Sequence, residues 1–543
     1  MVNAAEECHS PVCFPTMPIS IFQVIRNIIS LSNIYKTESD NQNLKRFDKM
    51  TKKIVIIGGG VAGLSAGIYA KLNGFDAEII EMHSVTGGQC TAWDRKGFRF
   101  DYCLHWLVGT RKGPFNDIWK ETNVLNDSVE IIDHEVHTRV INENGREFII
   151  YTDLNKWEEY LYNLAPEDTG SIKKMCDDMR KSAFLQPYSD PPGLRKFGQT
   201  ITSMFSMMPI ISLFLKYGRK SCDEYFSKLG FTNRFLKETL NSIYGSRDFS
   251  ALAFIMMFAW FNQKNAGYLI GGSLPLADRM TKRYLDLGGK IRSRSRVTKI
   301  LVENNITKGV TLYDGTEIMS DYVISAADGY STIYEMLEGK YINKKISNAY
   351  HNWELFTPIV QVSFGINKKI DSDTPSEMWF TKDQIIGRTK TKNGYSLMNY
   401  NFDPTMAPEG KSVIVMRFDS PWELWKDIDA VEYIKEKEKI EEDAKAILEK
   451  RYPGISAVIE VCDVATPVTD VKYTGVWKGS YEGFMPTSKN IMDNINPVIP
   501  GLKKFYMAGQ WLFPGGGLPP AGQSGKWAIQ YISKEEGIDF KTK

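Results

Sequence analysis

The residues best placed to do chemistry begin with bare backbone: "KKIVIIGGGVAGLSAG" runs from Lys52 to Gly67. Gly58, Gly60 and Gly63 form a G-x-G-x-x-G set directly after four β-branched residues, Ile54 to Ile57. Such a turn needs Gly58 for the reversal, Gly60 so that a pyrophosphate approaches the backbone, and Gly63 for close helix–strand packing. The phosphates then sit at the N-terminus of the helix that follows, whose free N–H groups and dipole favour negative charge. Glu81 stands 18 residues past Gly63, at the end of the apolar run "AEII". A carboxylate there accepts the hydroxyls of a ribose and disfavours a 2′-phosphate. The chemistry implied is dinucleotide binding, and the glycines do not choose between NAD and FAD.

The elements that must position these residues are legible around them. The run Ile54 to Ile57 is continuously apolar, as in a parallel strand buried on both faces. It leads into helical periodicity over "LSAGIYAKLNG" and then a second strand, and this β-α-β setting turns a weak glycine pattern into a specific one. After Glu81, "MHSVTGGQCTAWDRKGFRFD" adds a second glycine pair, Gly87 and Gly88, then Gln89 and a hairpin closing at Asp101.

The rest of the chain sets limits. Its 543 residues are 43% hydrophobic and 24% charged, with 67 Lys and Arg against 65 Asp and Glu, so net charge draws no nucleic acid. Seven cysteines without CxxC spacing suit a reducing compartment, and the expected location is cytoplasmic or the cytosolic face of a membrane. No signal peptide is read at the start. His134 and His137 lack a third ligand, and no metal site is expected.

Residues 1–50 read as a poorly ordered appendage, or as an amphipathic helix through Ile21, Phe22, Ile25, Ile28 and Ile29 lying on a membrane or on the protein. "ITSMFSMMPIISLFL" (201–215) is short of the roughly 20 residues a span requires. With Lys196, Lys216, Arg219 and Lys220 around it, it suits a headgroup boundary, or else a buried helix pair broken at Pro209. "ALAFIMMFAWF" (251–261) is apolar all round and reads as core or tunnel wall, and 429–454 as a solvated surface helix.

The glycine pair after Glu81 resembles the fingerprint of FAD proteins of the amine-oxidase and phytoene-desaturase superfamily. The resemblance continues through "YLIGGSLPLADRMTKRYLDLGGKIRSRSRVTKILVENNITKGVTLYDGTEIMSDYVISAAD" (268–328), with a strand ending near Val297. It reaches "FYMAGQWLFPGGGLPPAGQSGKWAIQYI" (505–532). "GGQC", "GFRFDYCLHWLVG" and "PGGGLPPAGQSG" look nearest to phytoene desaturases, carotenoid isomerases and retinol saturases.

The fold so implied is α/β: a Rossmann-type, glutathione-reductase-like FAD-binding domain with an inserted α+β substrate domain. The expected domains are an extension (1–50), a discontinuous FAD-binding part (51–145, 268–335 and 495–535) and a substrate or membrane-facing part (146–267 and 336–494). Gly58, Gly60, Val61, Ala62, Gly63, Glu81, Gly88, Gln89, Val297, Gly509, Gln510 and Gly517 are the expected cofactor residues, and His105 and Trp106 the residues beside the flavin ring. Two positions depart from the pattern. Cys103 stands where a glycine is usual, and Gln510 where many relatives carry an acid for the ribityl chain. No cysteine follows Cys462, so FAD is expected to be noncovalent. The implied activity is hydride transfer at flavin N5 to or from the double bonds of a long polyene or isoprenoid, by desaturation, saturation or isomerisation. The electron acceptor or donor is left open, and the membrane surface is a plausible partner. A flavin amine oxidase and a non-enzymatic prenyl-lipid escort of the Rab GDP-dissociation-inhibitor type are the alternatives.

Overall fold

Ile54 and Ile56 pack on one side of their strand and Val55 and Ile57 on the other, all four buried. Two-sided burial of this kind requires a strand in the middle of a parallel sheet. The computed structural model, which describes residues 51–182, 190–191, 193–194, 213, 215–243 and 248–543, places it there. Lys53–Ile57 pairs in parallel with Asp76–Ile80 on one side and Tyr322–Ser325 on the other; Lys290–Arg292 and Phe505–Met507 complete a five-stranded sheet. The helices Val61–Leu72, Ser273–Asp286 and Leu518–Glu535 cover the Ile54 and Ile56 side. A three-stranded antiparallel sheet, Val297–Glu303, Ile306–Leu312 and Glu317–Met319, packs on the other. Val297 therefore opens a strand of this second sheet, whereas the sequence had a strand ending there.

A seven-stranded sheet runs in the order Ile459–Ala465, Ile359–Ile366, Ser412–Asp419, Tyr395–Asn399, Ser376–Trp379, Val136–Ile141 and Glu147–Tyr151. The last two form a hairpin whose turn holds residue 145, where the FAD-binding part was expected to end, and both its strands belong to this sheet. Val413 and Val415 face Phe98, Phe100 and Ile54 in one shared core. Ile414, Met416 and Phe418 point to the opposite face, under the helix Ala430–Arg451. That helix buries Ile440, Ala444, Ile447 and Leu448, so the solvated helix expected from its charges is amphipathic.

Five helices, Leu154–Leu164, Thr169–Lys181, Cys222–Leu229, Arg234–Ser242 and Ala251–Asn262, form a separate cluster. Ser250 caps the last of these by accepting from the Ala253 N–H, and Phe258 stacks on Trp157 at 4.6 Å between ring centroids. Among the described residues no helix is long and apolar enough to cross a membrane. The readings made for 1–50 lie outside the described residues, as do those for 201–215 apart from Leu213 and Leu215.

Candidate active site

A cavity of about 1810 Å³ opens over the carboxyl edge of the parallel sheet, lined by Gly58, Glu81, Ala326 and Gly509, which each follow one of its strands within two residues. In open α/β sheets ligands bind at this edge, where helix N-termini converge. Of the residues expected to hold a cofactor, all but Gly63 line the cavity, together with His105 and Trp106.

Gly58 turns the chain with φ +94°, and its N–H donates to the Ile80 carbonyl at 2.8 Å. Gly63 acts from behind: a Cβ there would overlap the Gly58 carbonyl oxygen, so only glycine lets the helix Val61–Leu72 start this close to the strand. Gly60 lies beside the second glycine pair, with Gly87 O and Gly88 Cα each 3.8 Å from where its Cβ would stand. Glu81 is buried. One of its carboxylate oxygens accepts from the Gly59 N–H at 2.6 Å and the other from the His83 N–H at 2.7 Å. Burial raises its pKa, and these backbone donors pull it back down. Gln89 follows the glycine pair with both amide atoms buried and unpartnered among the described residues.

The far end of the chain supplies the opposite wall. Gly509 adopts φ +120° with open space where a Cβ would be, and its N–H donates to Ser524 Oγ at 2.8 Å. Gln510 donates its amide to the Tyr481 carbonyl at 3.1 Å. Gly517, at φ +86°, precedes the C-terminal helix, whose start lines the cavity from Leu518 to Ala521. A Cβ at Gly525 would overlap the Ala62 carbonyl, so this helix crosses the glycine-turn helix in near contact.

These features meet the demands of a flavin dinucleotide. Among the described residues the buried Gln89 amide has no partner, glycines keep side chains out of the path past Gly60 and Gly509, and Glu81 puts a buried carboxylate at the end of the second strand. Asp328 belongs to the same edge and escaped the sequence reading. Its carboxylate accepts from the backbone N–H groups of Ser331 and Trp477, both at 2.9 Å, and burial pushes it up to about 6. Its only mark in the sequence is the acid that follows the strand Tyr322–Ser325.

The other side of the cavity is built from side chains. Ala253, Met256, Met257 and Trp260 present one face of the helix Ala251–Asn262 to the cavity, while Phe254, Phe258 and Phe261 face the core. The segment expected as core or tunnel wall is both. His105 Nε2 is buried without a partner among the described residues; burial, then Arg417 and His137, hold its imidazole well below the usual range and so neutral. Trp106 meets Phe261 edge to face at 5.1 Å.

Arg417, on the strand Ser412–Asp419, was not foreseen. It donates to Gln361 Oε1 at 2.8 Å and to the Tyr102 carbonyl at 2.7 Å, and no carboxylate lies within salt-bridge distance among the described residues. Asp470 accepts from the Tyr102 hydroxyl at 2.7 Å; burial raises it to about 7 against the pull of that bond and of Arg417. Burial alone raises Glu482 to about 7. No local motif announces these groups, because strand pairing across hundreds of residues gathers them. Among the described residues no cluster of ligands could hold a metal ion.

Known proteins place this arrangement. The chain is 23% identical to the chloroplastic prolycopene isomerase of Daucus carota over 508 residues, covering 90% of this chain and 81% of that protein. It is also 23% identical to the 4,4'-diapophytoene desaturase (4,4'-diapolycopene-forming) of a Methylomonas species over 509 residues, covering 90% and 97%. Among solved structures, an oxidoreductase from Methanosarcina mazei superposes with TM-score 0.57 at 18% identity, covering 88% of this chain and 100% of the other. Cyclohexylamine oxidase from Brevibacterium oxydans IH-35A superposes equally well at 14% identity, covering 90% and 100%. At these identities the structures report the fold alone. The family model of flavin containing amine oxidoreductases matches residues 61–532, and the chain belongs to that family of flavin-dependent oxidoreductases.

Proposed function

We propose that the protein binds FAD without a covalent bond and uses it to change the double-bond pattern of a long, apolar polyene. The observation that carries this reading is the wall formed by Ala253, Met256, Met257 and Trp260, which faces the same cavity as the glycine turn and the C-terminal helix. A hydrocarbon lying along it loses no hydrogen bond to water, and each buried methylene gains about 0.8 kcal/mol. The relatives named prolycopene isomerase and diapophytoene desaturase support the same class of substrate.

In this reading Gly60, Val61 and Ala62 receive the diphosphate through backbone N–H groups, Glu81 takes the adenosine ribose, and Gln89 and Gln510 hydrogen-bond the remaining polar edge. Bound FAD supplies hydride exchange at N5, and the protein orients the polyene and excludes water. His105, neutral, and Trp106 shape the space beside the ring. Leu215, 85% exposed and followed by Lys216, supports delivery of the polyene from a membrane surface.

Anaerobic mixing of the oxidised and the dithionite-reduced protein with liposomes carrying prolycopene tests the reading. The polyene absorption is expected to change in one redox state, and the protein to sediment with the vesicles. Rapid reduction of the flavin by short alkylamines, with no polyene converted, replaces this reading with an amine oxidase. Acid precipitation is expected to release all flavin as FAD, and flavin left on the pellet contradicts noncovalent binding.

A further inference from the structure

Three carboxyls on the substrate side of the cavity carry raised pKa values, and they differ in what holds them. Asp419 is bonded by Asn393 and Asp470 by Tyr102. Glu482 has no hydrogen bond or ion pair among the described residues, and it lines the cavity. It lies against the loop that starts the C-terminal helix: a Cβ at Gly517 would stand 2.8 Å from Glu482 Oε1. A carboxylate at a helix start is ordinarily held by the N–H groups of the first turn. Here Pro519 and Pro520 take two positions of that turn and have no N–H to give, and Glu482 accepts no hydrogen bond from the Leu518 N–H that remains. The acid is thus placed beside Gln510 and Gly517, where the flavin wall meets the polyene wall, without the donors that would fix it as an anion.

We propose that Glu482 is the catalytic acid and base that carries the proton accompanying hydride transfer. The proposal rests on the polyene reading given above. When a C=C is reduced, one carbon takes a hydride, with its electron pair, from reduced flavin. The neighbouring carbon takes the Glu482 proton as the carboxyl O–H bond breaks, leaving a carboxylate. When a CH–CH unit is desaturated, the carboxylate accepts one hydrogen as a proton and oxidised flavin takes the other as a hydride. Isomerisation is the first step followed by the second after rotation about the single bond. Electrons balance in each case, and flavin is the only redox partner.

The titratable or charged groups that share this part of the cavity are Tyr481, Arg417, Asp419, Asp470, Tyr102 and His105. None of them enters the shift of Glu482, whose carboxyl burial raises to about 7, so that acid and carboxylate forms are both populated at neutral pH. The reductive direction therefore falls as pH rises through about 7, the folded-state value of this carboxyl.

The test uses the full chain loaded with FAD. Dithionite-reduced protein is given prolycopene in phosphatidylcholine vesicles in deuterated buffer, and the E482Q and E482D variants are compared with the parent. E482Q is expected to bind FAD within about twofold of the parent and to convert the polyene at least about 100-fold more slowly, the scale of a lost general acid. It should also lose the fall in rate near pH 7 and the deuterium acquired from solvent. E482D should recover part of the rate. Independently of turnover, infrared spectra of the FAD-loaded, polyene-free protein should show a carboxylic-acid carbonyl band at pH 6 that vanishes in E482Q. E482Q turning over at the parental rate, or the absence of that band, overturns the assignment. Loss of FAD from E482Q makes the residue part of the flavin site and also overturns it. A parent protein that converts no polyene in either redox state overturns the substrate reading instead.

Discussion

On the nucleotide side of the cavity, Gly58, Gly63 and Gly509 shape the wall by what their missing side chains allow. On the apolar side, Trp260, Met257, Arg417 and Glu482 shape it by what their side chains fill or present. At Gly58 and Gly63 the first wall tolerates no added atom. The second is held by a packed helix cluster behind it, so its lining can change while its backing cannot.

Five substitutions can break or sharpen that contrast. The largest effect is expected for Phe258→Ala, which empties a fully buried site stacked on Trp157. It should cost about 3–5 kcal/mol in urea unfolding, whereas Trp260→Ala on the cavity face of the same helix should cost far less, and equal losses would erase the distinction. Gly63→Ala pushes a methyl into the Gly58 carbonyl and is expected to cost about 3 kcal/mol, with the flavin lost on gel filtration. Glu81→Ala should leave the fold standing and weaken FAD by about 1.5–3 kcal/mol in a fluorescence titration.

The last prediction concerns pH. Asp470 has its ordinary value of 3.8 raised to about 7 in the fold, so between these limits the native state holds the extra proton. Stability from this group is present below about pH 4, declines up to about pH 7 and is flat above it. The slope is at most about 1.4 kcal/mol per pH unit. Asp470→Asn should flatten that stretch of the stability curve, and an unchanged curve would show that Asp470 remains ionised.

The nucleotide side was legible because its requirements are local. A glycine set, two apolar runs and an acid lie within 30 residues, from Ile54 to Glu81, and backbone sterics force those residue types. The second wall obeys no local rule. Arg417 meets Gln361 only because Ser412–Asp419 pairs with Ile359–Ile366, and Tyr102 meets Asp470 across 368 positions. The expected end of the FAD-binding part at 145 fell within a hairpin for the same reason, since Val136–Ile141 pairs with Ser376–Trp379 far along the chain. Charge alternation concealed the buried stripe of Ala430–Arg451, four residues wide on a helix of 22.

The C-terminal helix Leu518–Glu535 crosses Val61–Leu72 with Gly525 against Ala62, and Phe505–Met507 completes the sheet begun by Lys53–Ile57. A ribosome adding 5–20 residues per second therefore leaves the nascent glycine-turn helix uncovered for roughly 20–90 s before its partner emerges. Over the first part of that interval the apolar strand Lys53–Ile57 also lacks its Tyr322–Ser325 neighbour. The protein is thus expected to depend on chaperones that hold early segments open, and FAD is expected to enter only after translation of the final helix.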